Sequence, residues 1–149
     1  MAIIYIDAAT HNQKGPTAIS YVINNDNQKY IQSKYVGDQF DNHEGEWLAL
    51  INALEYAELL SIESVIVYTD SKVVADSMEK DQLKHSKYEG FHLKAKLIAH
   101  RFELCLVNWS ARKKNKEADL HAKQCLYEAM HSLSERNQNS SSSQDKLKD

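Results

Sequence analysis

The sequence predicts an α/β fold: a mixed sheet of five strands, three antiparallel and then two parallel, with helices on both faces. Two observations support this prediction. Three strand-like runs near the N-terminus are joined by short turns, which favours an antiparallel meander. Two later strands are each reached through a helix, and such crossover connections place neighbouring strands parallel.

The first strand is the run IIYIDAA, residues 3–9, whose β-branched and aromatic residues suit a strand buried on both faces. The runs 18–23 and 29–36 predict the second and third strands. A Gly-Pro pair at 15–16 precedes the second strand, and a polar turn at 24–27 separates it from the third.

The hydrophobic period then changes, and residues 42–60 predict a helix with one buried stripe and with Asp41 or Asn42 as its N-cap. The stripe consists of Trp47, Leu50, Ile51, Leu54 and Ala57.

A short buried strand at 65–68 follows, with a short helix at 71–78 and a further helical stripe from Phe91 to Phe102. The fifth strand is predicted at 103–109 and the last helix at 117–133. From Ser134 the apolar content falls, so we expect one domain over 1–133 and a disordered tail over 134–149.

The composition restricts the possible functions. A net charge of −3 provides no global basic field, so any nucleic-acid binding must come from a local patch. Cys105 and Cys125 have the spacing of neither a zinc site nor a disulfide framework, and they suit small core positions. Without a basic leader or a long apolar run, the sequence indicates a cytoplasmic protein without a membrane anchor, and it leaves the oligomeric state undetermined. Trp47 and Trp109 are both predicted to lie in the core.

Four acidic residues fall at the ends of predicted elements: Asp7, Glu46, Asp70 and Asp119. Asp7 and Asp70 end strands that would be parallel neighbours, so both would emerge at the same edge of the sheet. Glu46 and Asp119 lie in the first turns of helices, where each also suits the helix dipole, and Asp70 also suits an N-cap.

If the four acids meet, like charges would raise their pKa values unless cations bind. Oxygen ligands without His or Cys suit Mg²⁺ or Mn²⁺. Two such ions about 3.5–4 Å apart can activate a water and stabilise the leaving oxygen of a phosphodiester.

Four segments, in this order, give the sequence a specific resemblance to a known family: IIYIDAA, DNHEGEWLALINALEYA, VIVYTDSKVV and VNWSARKKNKEADLHA. Over about residues 2–130 the chain resembles the type 1 ribonuclease H or reverse-transcriptase-like ribonuclease H family. The resemblance rests on a buried strand ending in Asp7 and on three patterns. The patterns are N-x-x-x-E-x-x-A-L from Asn42, T-D-S from Thr69, and R-x-x-N-x-x-A-D from Arg112.

The resemblance implies an endonuclease that cuts the RNA strand of RNA–DNA hybrids with Mg²⁺ or Mn²⁺, with two ions at the site. Asp7, Glu46, Asp70 and Asp119 would be the catalytic, metal-binding carboxylates. The resemblance also implies five substrate-binding residues: Asn42, Ser71, Arg112, Lys113 and Asn115.

Several positions depart from the family pattern. Ala8 and Ala9 replace the Gly-Ser that often follows the first acid, and Asp41 replaces a threonine that helps to hold a DNA phosphate. The loop before the last helix lacks a histidine and offers the cations of residues 112–114, which suit either a solvated loop or a phosphate clamp. Two interpretations therefore stay open: an active ribonuclease H, or a catalytically weak or inactive relative that binds nucleic acid or a protein.

Overall fold

The computed structural model describes residues 1–111 and 114–148, and side chains up to residue 138. Its centre is a five-stranded sheet of order β3-β2-β1-β4-β5. The first three strands pair antiparallel, and β4 pairs parallel with both β1 and β5. This arrangement confirms the predicted fold class. The strands are β1 (Ala2–Thr10), β2 (Lys14–Asn25), β3 (Gln28–Asp41), β4 (Ser64–Thr69) and β5 (Leu104–Trp109).

The described residues form four helices, and their order along the chain follows the prediction. The helices are α1 (Asn42–Leu59), α2 (Lys72–Met78), α3 (Glu89–Ala99) and α4 (Lys116–Lys148). Helices α1, α2 and α4 pack on the sheet, and α3 packs against α1. Helix α4 continues past the predicted end at residue 133, and the division into a domain over 1–133 and a tail over 134–149 stays a prediction. In the part of the chain that the structure describes, no helix is both long and apolar enough to traverse a bilayer.

Helix α1 begins where its sequence provides a complete cap. The Asp41 side chain accepts a hydrogen bond of 2.8 Å from the backbone N–H of Glu44, and the Glu44 side chain accepts one of 3.0 Å from the backbone N–H of Asp41. Of the two candidate caps, Asp41 is therefore the N-cap. The buried stripe of α1 places Trp47, Leu50 and Leu54 in the core, and all three are fully buried.

The two tryptophans differ in a way that the sequence did not predict. Trp47 is fully buried, as expected, but Trp109 is 54% exposed, and its predicted core position is wrong. Trp109 is the last residue of β5, an edge strand that pairs on one side only among the described residues, so little of the structure covers it. Strand β1 also differs from its prediction, because Ile4 and Ile6 are fully buried but Ile3 is 37% exposed.

Gly45 determines how closely α1 approaches the sheet. A Cβ atom at this position would lie 2.9 Å from the Ala8 Cβ and 2.9 Å from the Thr17 Cγ2. Both atoms belong to residues held in paired strands, so neither can move away easily. The missing side chain therefore allows the first turn of α1, which carries Glu46, to lie directly against β1 and β2.

We expect Gly45→Ala to lower the free energy of unfolding by about 1–3 kcal/mol, because overpacking outweighs the gain of about 1 kcal/mol in helix propensity. Gly90→Ala is the matched control, since a Cβ there meets nothing within 4 Å, and it should be neutral or stabilising. Urea unfolding of both variants measures the difference. Equal effects of the two substitutions would contradict the close approach.

Candidate active site

Three of the four predicted acids meet where the parallel pairing of β1 with β4 stops. Strand β4 ends there, but β1 continues to Thr10 and stays paired with β2, so the prediction that Asp7 ends its strand is wrong. Asp7 comes from β1, Glu46 from the first turns of α1, and Asp70 from the residue after β4. Each contributes a carboxylate oxygen, and the three oxygens lie within 4.8 Å of one another. Asp7 and Glu46 are buried and Asp70 is half-buried.

The two buried carboxylates are held by the same backbone group. The N–H of Ala8 donates to Asp7 Oδ1 at 2.9 Å and to Glu46 Oε1 at 3.0 Å. The Thr69 hydroxyl donates to Glu46 Oε2 at 3.0 Å and accepts from the backbone N–H of Ser71 at the same distance. Both oxygens of Glu46 are thus fixed, one by β1 and the other by the end of β4.

The electrostatics of this group are unfavourable in the absence of a cation. Burial raises the pKa of Asp7 to about 7, and the negative charge of Asp70 adds to this, although contact with Glu46 opposes it. Burial also raises the pKa of Glu46 well above its usual value, with further increases from Asp7 and Asp70, and the Thr69 hydroxyl lowers it. A carboxyl pair of this kind either retains protons or requires a counter-charge.

The residues present fit a divalent cation. Oδ2 of Asp7 is fully buried and accepts no hydrogen bond from the described residues. Buried polar atoms are nearly always hydrogen-bonded, so this oxygen has an unfilled position for a ligand. It belongs to a set of three carboxylates whose oxygens are close enough to share one ion. Hard oxygen donors of this type are those that Mg²⁺ and Mn²⁺ prefer.

The fourth predicted acid, Asp119, is adjacent to this set but is not a member of it. Asp119 lies in the first turn of α4 and makes a 2.9 Å ion pair with Lys123, and the nearness of its carboxylate raises the pKa of Asp7. Asn115 is fully buried and donates a hydrogen bond of 2.6 Å to the Ile6 carbonyl, which fixes the start of α4 against β1. This contact positions Asp119 near Asp7.

The predicted substrate-binding residues occupy different environments. Asn42 is exposed at the start of α1. Ser71 is buried, and its hydroxyl caps α2 by accepting from the backbone N–H of Val74 at 3.2 Å. Asn42 and Ser71 both line an open cleft of about 410 Å³ beside Asp70, whereas Asn115 is buried as described above. Arg112 and Lys113 lie outside the described residues. The substrate-binding roles of all five stay predictions.

The sequence did not reveal a contact between Asp41 and Lys87. Lys87, in the loop before α3, forms an ion pair with the Asp41 carboxylate, and the Tyr88 hydroxyl lies 3.4 Å from the same oxygen. Burial alone would raise the pKa of Asp41, but hydrogen bonds from Lys87 and the Glu44 N–H outweigh burial and lower it. Asp41 therefore stays ionised with a cation beside it, next to the candidate site.

The raised pKa of Asp7 predicts a pH dependence of stability for the metal-free protein. Between pH 4 and 7 the folded chain retains a proton that the unfolded chain releases, so the free energy of unfolding should fall as the pH rises. Each such proton changes the free energy of unfolding by at most about 1.4 kcal/mol per pH unit. Denaturant unfolding in a chelator at several pH values measures the slope.

Asp7→Asn should make this profile less steep, because it removes one of the two carboxyl groups whose pKa is raised. Glu63→Gln is the control, since Glu63 is exposed at the opposite end of β4, and it should retain the slope of the unchanged chain. A profile that is equally steep in Asp7→Asn would show that the pKa of Asp7 is not the cause.

Comparisons with known proteins agree with this geometry. The sequence profile of the family described as "Reverse transcriptase-like" matches residues 5–125. The Enterococcus faecalis protein named "Putative hydrolase EbsB" is 32% identical over 128 residues, which cover 85% of this chain and 94% of that protein.

Solved structures of ribonucleases H share the fold. The N-terminal RNase H domain of Rv2228c from Mycobacterium tuberculosis matches with a TM-score of 0.81 at 24% identity, covering 89% of this chain and 97% of that one. LC11-RNase H1, solved in complex with an RNA/DNA hybrid, matches with a TM-score of 0.79 at 24% identity. The match covers 87% of this chain and 99% of that one. With the family profile spanning most of the chain and the acids at one sheet edge, the chain belongs to the reverse transcriptase-like family, whose fold is that of ribonuclease H.

Proposed function

We propose that this protein is a divalent-metal-dependent endoribonuclease that hydrolyses the RNA strand of RNA–DNA hybrids. The observation that carries the proposal is the meeting of the Asp7, Glu46 and Asp70 carboxylates within 4.8 Å, with a buried Asp7 oxygen that has no described partner. Similarity to LC11-RNase H1, which was solved with such a hybrid, supports the choice of substrate.

In this proposal Asp7, Glu46, Asp70 and Asp119 bind Mg²⁺ or Mn²⁺. Four ionised carboxylates would carry four negative charges, which two divalent cations would balance. When bound, such cations make water more acidic and stabilise negative charge on a phosphodiester. The Ala8 N–H and the Thr69 hydroxyl hold Glu46 in one orientation, so its oxygens would need little reorganisation on binding.

One observation favours a second candidate, a hybrid-binding relative with little or no activity. The Asp41 carboxylate lies at the N-terminus of α1, where the family resemblance places a phosphate-binding threonine. A negative charge there would weaken binding of a DNA phosphate. The ion pair with Lys87 offsets part of that charge, and for this reason we favour the active enzyme.

We expect the protein to cleave the RNA of a labelled RNA–DNA hybrid with Mg²⁺ or Mn²⁺, leaving 5′-phosphate and 3′-hydroxyl ends. Asp70→Asn should lower the rate by about a hundredfold or more, because it removes a charged ligand worth several kcal/mol in the transition state. Asp76→Asn, an exposed change on the adjacent helix α2, should leave the rate unchanged. Retained hybrid binding without cleavage at high protein concentration would favour the second candidate.

Metal binding should also stabilise the fold. Mg²⁺ or Mn²⁺ at about a hundred times its Kd should add about 2.7 kcal/mol to the free energy of unfolding. For a chain of this size, that gain corresponds to a rise in Tm of about 5–10 °C. Asp7→Asn should lose most of this rise, and Asp76→Asn should retain it. Thermal melting with and without metal measures both. An equal rise in all three proteins would indicate binding away from the acidic set.

A further inference from the structure

The cleft beside Asp70 contains an aromatic side chain that the candidate active site does not use. Trp109 lines this cleft of about 410 Å³ and is 54% exposed. Within the described residues its indole makes no hydrogen bond and no ring contact. Tryptophan is among the residue types most enriched at binding hot spots, and this one lines the same cleft as Asp70.

The backbone of Trp109 is fixed by strand pairing, which sets the place from which the indole extends. Trp109 is paired in register with Thr69 of β4, and the N–H of Ser110 donates a 2.8 Å hydrogen bond to the Thr69 carbonyl. Thr69 also holds Glu46 through its hydroxyl. The indole and the acidic set are therefore anchored to the same residue at the end of β4.

The other walls of the cleft carry polar groups that suit a base edge. Asn42 is exposed and offers an amide with both donor and acceptor atoms. His43 is positioned by a 3.4 Å contact between its Nδ1 and the Ser71 hydroxyl and by an edge contact with the Tyr88 ring. Its Nε2 makes no hydrogen bond with a described residue, so that atom is available to a ligand.

From these features we infer that the cleft is a subsite for one unpaired nucleobase, which stacks on Trp109. Bases inside a duplex present only their edges, whereas an unpaired base has a free face for an aromatic ring. The inference rests on the proposed function, and it specifies the substrate further. The preferred substrate would be a hybrid in which the strand entering the acidic set continues as an unpaired segment.

The test measures cleavage of two substrates: a blunt hybrid, and the same hybrid with a four-nucleotide unpaired RNA extension at either end. At one of the two ends, the extension should lower KM about tenfold or more and leave kcat unchanged, because the contact lies outside the reacting atoms. Trp109→Ala should abolish the preference and Trp109→Phe should retain most of it. Leu106→Ala, an exposed apolar residue of the same strand that does not line the cleft, is the control and should retain the preference.

Tryptophan fluorescence provides a readout that does not depend on cleavage. The chain has two tryptophans, and Trp47 is fully buried, so quenching by a bound base should report Trp109. Titrations use Asp7→Asn in Mg²⁺, because this change removes a proposed metal ligand and should leave the oligonucleotide uncut. It should not disturb the cleft, since Asp7 does not line it. The extended hybrid should quench this protein, and it should not quench Asp7→Asn combined with Trp109→Ala.

The two readouts separate the possible failures. Cleavage of both hybrids with equal KM and no quenching would overturn the subsite and leave the nuclease proposal intact. Quenching without cleavage by the unchanged chain would support the subsite and overturn the nuclease proposal. If no oligonucleotide quenches Trp109, the subsite is wrong, and the exposed indole would instead suit a protein partner.

Discussion

Asp7 and Glu46 are two carboxylates that share one backbone donor, the N–H of Ala8, at a position almost fully removed from water. Placing two acids together in this way opposes folding unless protons or cations are present. The surrounding structure accommodates the pair by supplying fixed donors. The Thr69 hydroxyl satisfies the second Glu46 oxygen, and Gly45 allows the helix to bring Glu46 within reach of β1. Strands β1 and β4 and helix α1 thus all contribute to positioning one pair of carboxyl groups.

Much of this arrangement could be predicted from the sequence because it follows from patterns of short range. The hydrophobic periods predicted the order of strands and helices, and crossover connections predicted the parallel pairing of β1 and β4. Asp7 and Asp70 each lie two residues after a register pair of two parallel neighbouring strands, Tyr5 of β1 and Tyr68 of β4, and so they lie at the same level of the sheet. The convergence of Asp7 and Asp70 therefore required only the topology, and the position of Glu46 followed from the start of α1.

Other features depend on contacts that periodicity does not encode. The exposure of Trp109 follows from its place at the end of the edge strand β5, which its apolar neighbours in sequence do not indicate. The ion pair of Asp41 with Lys87 joins residues 46 positions apart through a loop with no regular pattern. Past Leu133 the sequence contains no glycine or proline to stop a helix, so the fall in apolar content gave no boundary for α4.

The contact between Ala8 and Gly45 has a consequence for how this chain can vary. Two methyl groups, the Cβ of Ala8 and the Cγ2 of Thr17, fill the space between the sheet and the helix that Gly45 leaves open. The family often has glycine directly after the first acid, but here the small residue is on the opposing helix. Substitutions at positions 8 and 45 should therefore be correlated across relatives, with enlargement at one position accompanied by reduction at the other.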